Sequence, residues 1–169
     1  MRELVLENDP ILRKPSVPFD FDNPQEDPEK LTEELLTAMQ KYEGMGLSAC
    51  QIGIDLKVFV MRFDDDAIAC FNPRIVEYSP QTTYISEGCL SFPGLFFPVE
   101  RAYGVFTEYY SKDGVKMGGT FVNITAKCFQ HEYDHMLGRL YIDGVSNFKL
   151  KNARKKQVLW KRKNGRIQS

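Results

Sequence analysis

Gln130-His131-Glu132-Tyr133-Asp134-His135 places two imidazoles four residues apart, with a carboxylate directly after the first. On a helix, positions i and i+4 project from one face. His131 and His135 can then share a metal while Glu132 stands beside whatever the metal holds. The same pattern also reads as a solvated helical His pair. The chain has only two histidines in 169 residues, both in this motif, which favours the metal. A catalytic centre then needs a third protein ligand and an open position for water.

The motif requires a helix, expected over residues 124–137 with Asn123 as cap and Gly138 as stop. Upstream, Asp27-Pro28 is a helix start, and Leu31, Leu35, Ala38, Met39 and Tyr42 follow at helical spacing until Gly44. Between these helices, β-branched and aromatic runs at 56–61, 68–71, 82–85 and 99–110 read as strands. Lys112-Asp113-Gly114 is a turn joining 105–110 to 115–121 as a hairpin, so the sheet is largely antiparallel. A third helical segment is expected over 147–163, with poor apolar periodicity. The fold class is α+β: mostly antiparallel β-sheets around a central metal-binding HExxH helix, with an N-terminal helix and a C-terminal helical tail. Residues 1–146 are expected to form the catalytic domain and 147–169 a basic tail, within that domain or extending it.

A chain of this length with 43% hydrophobic residues can bury one core. Its four cysteines are too sparse for a disulfide framework, the N-terminus begins no signal peptide, and no apolar run would span a bilayer. These features point to the cytoplasm and away from membranes. Nine of the 22 Lys and Arg fall in residues 144–169, which hold no acid; the other 13 face all 23 acids, a net −10 over 1–143. An acidic body is no DNA platform, whereas the basic tail is either a solvated terminus or a contact for an anionic partner such as ribosomal RNA.

Carboxylates and cysteines compete for the third ligand position. Cys128 shares the helical face of the histidines, but its short side chain lies roughly 10 Å along the axis from His135, so it suits packing beside the site. Cys89 sits in Glu87-Gly88-Cys89-Leu90-Ser91, where the glycine permits close backbone approach; the local sequence fits either a thiolate ligand or inert packing. Gly44-Met45-Gly46-Leu47-Ser48-Ala49-Cys50-Gln51 reads as a helix cap and turn, or as a surface for an extended ligand with Gln51 as an amide donor. If Glu87 is buried it needs a cation, and Arg101 is the candidate.

The three segments Gly-x-Gly-Leu-x-Ala-x-Gln, Glu-Gly-Cys-Leu-Ser and Gln-His-Glu-x-Asp-His, in that order, closely resemble the three motifs of peptide deformylases. Asp9-Pro10-Ile11-Leu12-Arg13 is similar to that family's N-terminal segment. The resemblance implies that Cys89, His131 and His135 bind one divalent metal and that Glu132 is the acid/base. It also implies Gln51 and the Leu90 N–H as oxyanion donors. The native metal would be ferrous iron, with zinc, nickel or cobalt able to replace it. The substrate would be an N-formylmethionyl nascent peptide, deformylated to formate and a free amine. Gly44, Met45, Gly46 and Gly88 would pair with the extended peptide, and Cys128 would line the methionine pocket. A monomer is expected, with a possible ribosome contact through the tail. Two departures stand out: Ser48 replaces the family's usual alanine, and the segment after Asp143 matches loosely. An HExxH endopeptidase, the nearest alternative, generally takes its third ligand downstream, where residues 136–169 offer no His and only Asp143.

Overall fold

The structure is a computed structural model that describes residues 2–164; Arg166, one of the nine basic tail residues, lies outside them. Among the described residues, three α-helices and seven strands, with short 3-10 turns at Pro10–Arg13 and Ala49–Ile52, follow in the order α1 (Pro28–Lys41), β1 (Gly46–Ser48), β2 (Val58–Phe63), β3 (Asp66–Tyr78), β4 (Thr82–Glu87), β5 (Phe97–Ala102), β6 (Gly104–Tyr110), β7 (Lys116–Val122), α2 (Asn123–Met136) and α3 (Asn147–Asn164). The expected α+β class holds. A five-stranded antiparallel sheet runs β1-β2-β3-β6-β7, and β4-β5 form a separate antiparallel pair.

β2 explains the layering. Side chains alternate across a strand, so Val58 and Val60 join one core with Leu31, Leu35 and Met39 of α1, while Phe59 and Met61 join the other with Phe129 of α2. Burial on both faces is why this segment reads as a continuous apolar run. Phe129 seats α2 on the sheet, edge-on to Phe59 at 5.1 Å and stacked on Phe121 at 5.4 Å. Gln130 fixes the helix to β5: its amide donates to Ala102 O at 2.9 Å, and its Oε1 accepts from Ala102 N at 3.1 Å.

Several boundaries depart from expectation. The run 99–110 is not one strand: it divides at Tyr103 into β5 and β6, which belong to different sheets. Asp27 caps α1 through its carboxylate, which accepts from Lys30 N at 2.9 Å. Asn123 does not cap α2: it is the helix's first residue, at φ 55, and the capping position, Val122, offers no side-chain acceptor. Gly138, at φ 68, ends α2 as expected. The Gly44–Gly46 segment continues into a strand, and β1 stands at the sheet edge.

Candidate active site

Three elements converge on one cavity of about 830 Å³, lined by the Gly44-Met45-Gly46 edge, the Gly88-Cys89-Leu90 loop and one face of α2 that carries Cys128, His131 and Glu132, with Gln51 behind them. His135 completes the α2 face one turn on, buried at 1% exposure. The ligand atoms of Cys89, His131 and His135 all lie within 4.8 Å of one another, and Cys89 Sγ is 3.5 Å from His135 Nε2. Donors bound tetrahedrally to one ion at about 2.0–2.3 Å stand roughly 3.3–3.7 Å apart, so this donor set fits a single metal.

His131 turns Nδ1 to the Glu87 carboxylate at 3.0 Å, which leaves Nε2 for the metal. A carboxylate on the outer nitrogen of a ligating histidine fixes its tautomer and ring orientation. Glu87 is itself clamped by Arg101, whose Nε and Nη2 donate at 2.9 and 3.0 Å, and Arg101 also reaches Asp134 on α2. The pair anticipated for Glu87 is therefore one part of a larger cluster. Burial alone would raise the Glu87 pKa, but hydrogen bonds from His131 and Arg101 outweigh it and hold the carboxyl at about 2. Burial likewise opposes a charge on His131, yet Cys89 and Glu87 push it up to about 10.

Glu132 is 3% exposed beside this trio, and burial, its largest influence, raises its pKa. Its Oε2 accepts from the Ser48 hydroxyl at 2.6 Å. Ser48, noted in the sequence only as a departure, thus touches Glu132 directly. The contact spans 84 residues of chain, and only the pairing of β1 beside α2 brings it about. Gly46 makes this approach possible, since a Cβ there would lie 2.6 Å from Glu132 Oε1 and 2.8 Å from Cys128 Sγ.

Gln51, in a short 3-10 turn after β1, is 2% exposed; its Nε2 donates to Cys89 Sγ and Ser91 Oγ, each at 3.3 Å, and its Oε1 accepts from Ser48 N at 2.9 Å. The strand edge is equally well placed. Met45 O accepts from Arg62 N, so the antiparallel alternation turns the N–H and C=O of Gly46 away from β2. Among the described residues that edge has no backbone partner at Gly46 beyond β2, so an extended chain can pair there. Two cavity residues had no recognisable sequence signal: Phe96, which packs against Gly88 of the metal loop, and Trp160, which packs against Gly94.

The sequence model of the family described as "Polypeptide deformylase" matches residues 1–151. A peptide deformylase from Thermotoga petrophila is 39% identical over 149 residues, 88% of this chain and 89% of that one. A crystal structure of a peptide deformylase from Legionella pneumophila superposes with a TM-score of 0.88 at 32% identity, covering 98% of both chains. The structure from Thermotoga maritima gives 0.82 at 36% identity, over 86% of this chain and 98% of that one. With a match over most of its length, a shared fold and a Cys-His-His cluster in its cavity, the chain belongs to the peptide deformylase family, enzymes that remove the N-formyl group from nascent peptides.

Proposed function

We propose that Cys89, His131 and His135 hold one divalent metal, ferrous iron natively with zinc, nickel or cobalt able to take its place, and that deformylation of the initiator methionine occurs there. The observation that carries this is a Cys-His-His donor set within 4.8 Å beside a buried glutamate on an open cavity. Bound there, such an ion would supply Lewis-acid chemistry, activating a water and polarising the formyl carbonyl. Glu132 takes a proton from the attacking water and delivers it to the leaving nitrogen, releasing formate and a free α-amino group. Ser48 holds Oε2 of that carboxylate in place.

The developing oxyanion receives hydrogen bonds from the Leu90 N–H and the Gln51 amide. At 3.3 Å the Gln51 contact to Ser91 is weak, so redirecting one amide hydrogen costs little. The peptide lies extended along Gly44-Met45-Gly46 and past Gly88, adding a strand to β1, with methionine entering the cavity near Cys128. The enzyme acts as a monomer in the cytoplasm. Residues 1–146 form the catalytic domain, with 147–169 a basic tail that is part of it or an extension of it. The exposed Lys151, Lys155, Arg162 and Lys163 of α3 support an electrostatic contact with ribosomal RNA.

Metal content and turnover of two variants test these roles. Glu132→Ala should keep its metal while turnover falls about 10²–10⁴-fold. Cys89→Ala should fail to retain metal. Near-normal activity in either variant contradicts the role assigned to that residue.

A further inference from the structure

We propose that Tyr141 is a positioning residue for the metal centre: its ring backs His131 and its hydroxyl ties the Cys89 loop to the end of α2, holding the donors in place before an ion binds. This rests on the reading of Cys89, His131 and His135 as the ligands.

The donor set comes from two separate pieces of chain. His131 and His135 share α2, so the helix fixes their spacing, whereas Cys89 stands in the loop between β4 and β5. The loop's own bonds are short-range: Phe92 N donates to Cys89 O at 2.8 Å and Leu95 N to Phe92 O at 3.1 Å. They coil the segment without fixing it to the helix. Among the described residues, three side chains besides the histidines hydrogen-bond to this loop from elsewhere. Gln51 reaches Cys89 and Ser91 from beside β1. Gln157, on the inward stripe of α3 with Leu150 and Ala153, reaches Pro93 O at 3.0 Å. The third is Tyr141, whose hydroxyl donates to Leu95 O at 2.8 Å.

Of the three, Tyr141 also packs on a ligand of α2, its ring centroid 5.6 Å from that of His131. The same ring meets Phe92 of the loop edge-on at 5.7 Å and Phe97 of β5 at 5.7 Å. Gly138 brings it there: at φ 68 it ends α2 and turns the chain back, where a Cβ would lie 2.6 Å from Arg13 O. Tyr141 is buried, and a phenolic hydroxyl in such surroundings needs a partner, so the bond to Leu95 O is kept. Donors ordered in advance spare the binding step that cost, and a loop released from Tyr141 holds the metal less tightly.

The test measures zinc affinity of the full chain by competition with a chelating dye, and stability of the apo-protein by denaturant unfolding. Tyr141→Phe keeps the ring and loses the hydroxyl; it should weaken zinc about tenfold, and Tyr141→Leu, which also loses the ring behind His131, about 100-fold. The cobalt–thiolate absorption of the cobalt-loaded protein should weaken or shift in both. Val58→Ala, in the core on the far side of the sheet, is the control: it should lower stability and leave zinc affinity and the cobalt spectrum as in the parent. Unchanged zinc affinity in both Tyr141 variants, whatever their stability, overturns the proposal, as does a cobalt spectrum identical to the parent's. A loss of zinc affinity in Val58→Ala equal to that in Tyr141→Phe overturns it too, since the effect is then general destabilisation. Failure of the parent chain to bind zinc or cobalt overturns the metal reading itself.

Discussion

Gly46 sets the tightest tolerance at the residue scale. Any side chain there meets Glu132 and Cys128 at less than 3.0 Å, and both are buried on a helix that cannot retreat from the sheet. Gly46→Ala should keep the metal but move the Glu132 carboxylate, lowering kcat about 10²-fold, the usual result of misplacing a reacting group by about an ångström; metal analysis with steady-state kinetics checks this. Gln51→Ala should cost about 10²–10³ in turnover if its amide serves the oxyanion. The residue types and order of the three motifs were readable in the sequence, because each is local. The Ser48 hydroxyl on Glu132 was not, since nothing near either residue specifies the other.

The decisive element is the β4-β5 pair, which presents Glu87 and Arg101 to α2. Arg101 joins Glu87 to Asp134 across that junction, its side chain only 10% exposed. Removing one partner leaves a buried charge uncompensated, so Arg101→Ala should destabilise the fold by about 3–5 kcal/mol, measured by denaturant unfolding. Glu87→Gln should weaken metal binding about 10–100-fold, because His131 loses its carboxylate anchor. The Glu87 carboxyl is held at about 2 against a usual 4.5, so it binds fewer protons folded than unfolded. Its stabilising contribution is therefore complete above about 4.5 and disappears as pH falls toward 2. Unfolding measured across that window should show a shallower acid slope in Glu87→Gln than in the parent. At this scale, α1, α2 and the β6-β7 hairpin were legible from caps, spacing and turn residues. The break at Tyr103 was not, because 99–110 is uniformly strand-like and only tertiary packing sends its halves to different sheets.

For the whole molecule, the two cores on either side of the large sheet bring the β1 edge, the metal loop and α2 together from distant parts of the chain. The inward stripe of α3 was obscured in the sequence by its many lysines and arginines, and because Gln157 and Arg154 bond to a loop and to Glu7 rather than to a neighbouring helix or strand. Its outward face carries the charge proposed for the ribosome. Changing Lys151, Lys155 and Arg162 together to Glu should reduce co-sedimentation with ribosomes at low salt; unchanged sedimentation would remove that role. The central claim is that a Cys-His-His metal centre in this cavity hydrolyses a formamide. Anaerobic apo-protein loaded with Fe²⁺ and given formyl-Met-Ala-Ser should release formate and new amine in equal amounts and leave acetyl-Met-Ala-Ser intact, whereas no formate with any divalent metal would contradict the account.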